Sequence, residues 1–301
     1  MPDDTQGAVA EAEIVNDTDD LETLDTAFVR QPFGLMFWTA IGWLALIVFL
    51  AIFASWLPFD DPNRINPGNR LQGIFSDGNI LGTDSLGRDN LSRLAHGARI
   101  SVVISLTSVT VGVLIGGIIG TTIAYYGGRL EKMVMAFVNM MFAFPGLILL
   151  LAVVAMVGAS LQSLTVTISV LSIPLYIRFS RGSTLAFISL DYIAADKMLG
   201  ARDRRIIFRS LLPNVLATLV TFGLLALGGV IVAEGTLAYL GFSVPVPQAT
   251  WGRMIADGKP QLDETLQPTL IPATVMFLTI LSINLVGDRV RRSFDVREAR
   301  I

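Results

Sequence analysis

The stretch MVMAFVNMMFAFPGLILLLAVVAMVGASLQSLTVTISVLSIPLYI, Met133–Ile177, runs for 45 residues without an acidic or basic side chain. A helix rising about 1.5 Å per residue needs about 20 residues to cross a hydrocarbon core about 30 Å thick. The stretch therefore holds two membrane spans. The division falls at Val157-Gly158-Ala159-Ser160, where a glycine and a serine interrupt strong helix formers. Pro145 in the first half and Pro174 near the end of the second each delete an internal hydrogen bond, and each is expected to kink its helix.

Four more charge-free runs flank this stretch: Phe33–Leu57, Ile100–Gly128, Leu211–Ala233 and Thr265–Gly287, each long enough for one span. The expected spans are 33–57, 100–124, 133–157, 161–178, 213–233 and 267–287. The fold class is an all-α polytopic membrane protein with six transmembrane helices. Composition agrees: 52% of the 301 residues are hydrophobic and only 16% charged, against about 25% in a soluble domain. An ordinary water-soluble globule is excluded.

The net charge of −3 hides an uneven distribution. Nine of the 25 acids precede Arg30 with no base among them. Residues 1–32 thus form an acidic tail too poor in apolar side chains to order itself. It lacks the basic start of a signal peptide. The rest divides into the first span (33–57), an outer segment (58–96), a core of five spans (97–287) and a basic tail (288–301). With the N-terminus inside, 15 of the 22 Lys and Arg fall on the inner side. The bias places both termini in the cytoplasm. The outer loop between the first two spans, residues 58–99, with five arginines, is the discordant piece.

The absence of cysteine and the single histidine, His96, remove disulfides, thiol chemistry and Cys- or His-rich metal sites. No Asp, Glu, Lys, Arg or His lies within a predicted span, Arg178 at the very end of the fourth aside, which argues against a proton-coupled carrier. No GxxxxGK[ST] phosphate loop exists, so energy for uphill transport must come from another chain. Ser108, Gly112, Gly116, Gly120 and Ala124 place a small residue at every fourth position, which lets another helix approach closely. Asn139 and Asn284 read as interhelical hydrogen-bonding residues or as pathway candidates. Glu234, at the outer end of its span, either anchors a loop or faces substrate.

The segment Arg178–Leu212 is too long and too regular for a connector. Ser189 is expected to N-cap a short helix, Leu190–Leu199, ended by Gly200 in a left-handed conformation. Tyr192, Ala195, Met198 and Leu199 fall on one apolar face of it. A second helical stretch, Arg202–Leu212, leads into Pro213, which suits a helix's first turn. Such a helix either lies on the lipid surface or docks into a groove on a partner.

Asp191-Tyr192-Ile193-Ala194-Ala195-Asp196-Lys197-Met198-Leu199-Gly200-Ala201, followed by Leu212-Pro213-Asn214, resembles the EAA loop of ABC-importer permeases, most closely the oligopeptide/dipeptide/nickel branch. Leu81-Gly82-Thr83-Asp84, Leu86-Gly87-Arg88-Asp89, Ser92-Arg93-Leu94 and Gly97-Ala98-Arg99 resemble that branch's outer segment. Tyr239-Leu240-Gly241-Phe242, Trp251-Gly252, Ala256-Asp257-Gly258 and Asn284-Leu285-Val286-Gly287-Asp288 resemble its C-terminal half. Ala194, Asp196, Ala136, Asn139 and Val296 depart from the usual pattern.

The resemblance implies the type I importer fold and the second, dipeptide-permease-C-like, of two permeases in a prokaryotic inner membrane. Asp191, Tyr192, Ala195, Met198, Leu199, Gly200 and Ala201 would be the coupling helix and its turn. The implied partners are a homologous permease, two ATPase subunits that hold the ATP and Mg, an external solute-binding protein and membrane lipid. No cofactor in this chain and no nucleic acid is implied. The cargo implied is di- or oligopeptide, with nickel, glutathione or a sugar as alternatives in the same branch. A free-standing channel or secondary carrier is the competing class, disfavoured by the long amphipathic loop. An intramembrane enzyme lacks the paired groups its chemistry needs.

Overall fold

The computed structural model describes residues 34–76 and 78–298, with side chains to residue 292. The acidic tail expected over residues 1–32 lies outside the described residues. From Ala40 onward the chain is one compact unit; the preceding residues form a separate unit, of which only the beginning of the first helix is described.

The helices are α1 (Leu35–Phe53), α2 (Asn90–Tyr126), α3 (Gly128–Ala143), α4 (Gly146–Val157), α5 (Leu161–Ile188), α6 (Asp191–Met198), α7 (Asp203–Tyr239), α8 (Trp251–Gly258) and α9 (Gln267–Glu298). Among the described residues no strand forms, only two isolated bridges in the segment before α2. Five helices (α1, α2, α5, α7 and α9) are long and apolar enough to cross a membrane, and the pair α3–α4 makes a sixth if it is one span.

That pair differs from the expected kinked helix. Proline disfavours helical backbone in the residue before it as well as deleting a donor. Phe144 is accordingly extended (φ −94°, ψ 139°), Pro145 precedes a new helix, and the two axes meet at 88°. The break at Val157–Ser160 falls where expected. Gly158 takes φ +90°, and Ser160 begins α5 with a capping box, its Oγ accepting from the Ser163 amide while the Ser163 hydroxyl accepts from the Ser160 amide. α5 then runs unbroken through Pro174 and ten residues past the expected end of its span.

The small-residue stripe of α2 packs against α5. A Cβ at Gly112 or Gly116 would overlap Tyr176, and one at Gly120 would stand 2.7 Å from the Ser180 Cβ. Thr121, Ser180 and Thr184 are fully buried there and hydrogen-bond across the same seam. The stripe is a packing device, as its spacing predicts. Over Gly112–Gly116 the ladder of α2 widens to π, as it does in α7 over Ile206–Leu211. In α7 the cause is legible: Pro213 has no N–H to give to the carbonyl of Arg209. The main core gathers Ile104, Leu164, Tyr176, Val215, Leu219 and Leu237 from α2, α5 and α7.

Candidate functional site

α6 is where the expected site residues lie. Its N-cap is Leu190, without a side-chain bond, rather than Ser189. The physical reason is the extra length of α5, which reaches Ile188 and takes Ser189 as its own C-cap, the Ser189 hydroxyl donating to the Ala186 carbonyl at 2.9 Å. The other end is as expected: Gly200 takes φ +74° and turns the chain toward α7.

The helix has two apolar faces where one was expected. Ile193, outside the expected face, is fully buried against Ile206 and Leu211, with Ala201 packed beside them. Met198 and Leu199 stand 88% and 85% exposed, Tyr192 is 41% exposed, and Asp191 and Ala195 are exposed too. The Tyr192 hydroxyl accepts from Asn214 Nδ2 at 3.3 Å. Burial pushes the Tyr192 pKa up, and the neighbouring Asp196 carboxylate adds to this against the opposing bond from Asn214, so the phenol stays protonated at neutral pH. Asp196, a departure from the family pattern, accepts from the Ser210 hydroxyl at 2.6 Å. Lys197 lies 5.4 Å from the ring centre of Tyr125, whose hydroxyl donates to Asp203 at 2.7 Å. The helix is thus fixed on one side and bare on the other.

The three pathway candidates do not come together with α6. Asn139 is exposed on α3 and Asn284 half-buried on α9, and neither side chain hydrogen-bonds a described residue. Glu234 is 2% exposed within α7, and its Oε1 accepts from the Thr250 hydroxyl at 2.7 Å while its Oε2 has no partner. Thr250 is the N-cap of α8, its Oγ1 accepting from the Arg253 amide. Glu234 therefore sits at the junction of α7 with the start of α8.

A buried ionic cluster joining the segment before α2 to the first turn of α2 and to α8 had no part in the sequence reading. Arg88 Nε donates to Asp84 Oδ2 at 2.6 Å, and Arg93 Nε lies 3.5 Å from the same oxygen. Both guanidinium groups also approach Asp257 of α8, at 3.6 and 3.7 Å, and Arg253 Nε pairs with Asp257 at 2.8 Å. Arg88 and Arg93 are 4% and 1% exposed, so removing one partner would leave a buried charge uncompensated. The signal was available as opposite charges four apart, Asp84–Arg88 and Arg253–Asp257. Trp251, fully buried, completes the clamp by donating its indole N–H to the Leu94 carbonyl at 3.2 Å. The described residues hold no cluster of three or more side chains fit to bind a metal.

Among the described residues, a helical body with five or six apolar spans marks a multi-pass membrane protein. Its sequence resolves which kind. The chain belongs to the family of binding-protein-dependent transport system inner membrane components, whose family model matches residues 112–300. It is 34% identical over 270 residues to the glutathione transport system permease protein GsiD of Pectobacterium atrosepticum, covering 89% of this chain and 88% of that one. It is also 34% identical over 268 residues to the di/tripeptide transport system permease protein DppC of Pseudomonas aeruginosa, covering 87% and 86%. Among solved structures, the MetNI methionine ABC transporter in inward-facing conformations contains a chain that superposes with a TM-score of 0.55 at 21% identity, over 65% of this chain and 94% of that one. The fold is thus that of an ABC-importer permease.

Proposed function

We propose that this chain is one of two membrane subunits of an ATP-driven importer for short peptides, and that α6 is the element through which ATPase subunits act on it. The observation that carries the reading is the pairing of a fully buried Ile193 with Met198 and Leu199 at 88% and 85% exposure on an eight-residue helix. A surface held rigid from behind and apolar in front suits insertion into a protein groove. Burying a Met or Leu side chain is worth about 1.5–3 kcal/mol, so the two together make a strong anchor.

The peptide cargo is supported by the relatives, whose names specify glutathione, itself a tripeptide, and di- and tripeptides. In this reading the chain has no catalytic residue. ATP and Mg are held by the ATPases, an external binding protein delivers the peptide, and the second permease completes the pathway. Both termini and α6 face the cytoplasm, as the count of 15 inner against seven outer basic residues suggests. Two of the discordant outer arginines, Arg88 and Arg93, lie beside Asp84 and Asp257 and so weigh little against that count.

The test is Met198→Asp in the chain co-expressed with its partner permease and ATPases. Membrane insertion should be unchanged while the ATPases co-purify at least about tenfold less well. Full retention of the ATPases by the Met198→Asp, Leu199→Asp double variant would overturn the docking reading.

A further inference from the structure

A docking helix transmits force only if it is stiffly joined to what must move. α6 has two neighbours along the chain, α5 before it and α7 after it. Among the described residues, the side-chain hydrogen bonds that leave α6 end on Ser210 and Asn214, both in α7. The Ser210 hydroxyl gives its proton to the Asp196 carboxylate at 2.6 Å, a charge-assisted bond and so among the stronger kinds. Asn214 Nδ2 bridges the Tyr192 hydroxyl at 3.3 Å and the Ser210 carbonyl at 2.8 Å, joining the two links. Between them Ile193 is buried on Ile206 and Leu211, the first and last residues of the π-helical turn. On the α5 side, Phe187 and Ile188 pack against the same buried cluster, but Ser189 spends its hydroxyl on its own helix, and among the described residues no side-chain hydrogen bond joins α5 to α6.

The alternative path for motion is the turn at Gly200. It is exposed, its φ is +74°, and nothing lies within 4 Å of where a Cβ would stand. Left to itself, such a turn would flex and absorb a push on α6.

We propose that Asp196 and Tyr192 are positioning residues which, through Ser210 and Asn214, lock α6 to the first turns of α7, so that a push on α6 displaces α7 instead of bending the chain at Gly200. This rests on the docking reading of α6 and adds the route that force takes beyond it. It also gives a role to Asp196, one of the residues that depart from the family pattern.

The experiment uses the assembled importer in liposomes, with Val232→Cys as a reporter. Val232 is 46% exposed in the far part of α7, and the chain has no cysteine of its own. The rate of thiol labelling on this chain is measured with and without ATP and vanadate, which needs no transported solute. In the parent the two rates differ. Asp196→Ala should shrink that ratio about tenfold or more, the scale of one net hydrogen bond to a charged group, with the ATPases still co-purifying. Asp196→Asn keeps an acceptor oxygen for Ser210 and should stay within about twofold of the parent. Ser210→Ala breaks the same bond from the other side, serves if Asp196→Ala does not insert, and should do no further harm when combined with it.

A parent ratio of one, an unchanged ratio in Asp196→Ala, or additive losses in the double variant would each overturn the proposal. So would loss of the ATPases in Asp196→Ala, since Asp196 would then belong to the docking contact itself. Failure of the docking reading shows separately, as ATPases retained by the Met198→Asp, Leu199→Asp double variant whatever the labelling ratio.

Discussion

Gly200 offers a perturbation whose size follows from one dihedral angle and one empty space. Its φ of +74° lies in the left-handed region, and no atom stands within 4 Å of the place a Cβ would occupy. Any penalty for a larger residue is therefore conformational, not steric crowding by neighbours. An L-residue pays about 1–2 kcal/mol to occupy this region, a β-branched one more, and asparagine least. Gly200→Asn should then be nearly silent, Gly200→Ala intermediate, and Gly200→Val the most damaging at about 2 kcal/mol or above, roughly thirtyfold in a local equilibrium. The strain bears on the turn that ends α6, where the Gly200 amide donates to Lys197 and the Ala201 amide to Asp196 at 3.0 Å each. Co-purification of the ATPases with each variant, at matched levels of inserted chain, reads the effect. The reasoning fails if valine and asparagine behave alike, because the dihedral would then not set the cost. It fails equally if alanine is worse than valine.

The topology can be read with single cysteines, since the chain has none: an impermeant thiol reagent on intact cells should label Ser76→Cys and Gln248→Cys but not Ser189→Cys, and labelling of the last would invert the orientation. At the crossing of α7 and α8, a Cβ at Gly252 would overlap the Gly235 backbone and stand 3.0 Å from the Ala238 Cβ. Gly252→Ala should lower the thermal midpoint of the purified chain, at a cost of about 1–3 kcal/mol. Gly229→Ala, with nothing within 4 Å in the same helix α7, should leave it unchanged or raise it; equal midpoints for the two variants would contradict the crossing.

The spans were legible because membrane crossing imposes length and apolarity on a contiguous run, and both are properties of sequence alone. Helix ends were not. α5 passes its last apolar run by carrying Arg178 and Arg181 in helical register, and Arg181 pairs with Glu131 of α3 at 2.6 Å, a contact 50 residues away that no local pattern displays. The same blindness hid Ile193. On a helix of eight residues, periodicity separates apolar from polar but not the face turned to the body from the face left bare, and here both are apolar. Asp196 could be placed only once α7 was present, because its partner Ser210 lies 14 residues on, across the Gly200 turn. The ionic clamp was half legible: the pairs four apart could be seen, but not the meeting of Arg88 and Arg93 with Asp257 some 160 residues later.

Lipid gives apolar helices no hydrophobic reason to prefer one another over acyl chains, so close crossings must come from dispersion between backbones that approach without side chains between them. The glycines sort accordingly. α2 meets α5 through Gly112, Gly116 and Gly120; α7 meets α2 through Gly223, where a Cβ would stand 3.0 Å from Val109, and α9 through Gly228, 3.0 Å from Ile280. α8 meets α7 through Gly252 and Gly235. Gly42, Gly146, Gly182 and Gly229 meet nothing within 4 Å. α7 therefore takes part in three of these four crossings, against α2, α9 and α8, while its first turns hold α6. It is the helix on which the exposed apolar face of α6, the helical core and, through Glu234 and Thr250, the ionic clamp around Asp257 all converge. A displacement delivered to Ser210 has a continuous helical body to act on, and the glycine contacts determine which neighbours must slide when it does.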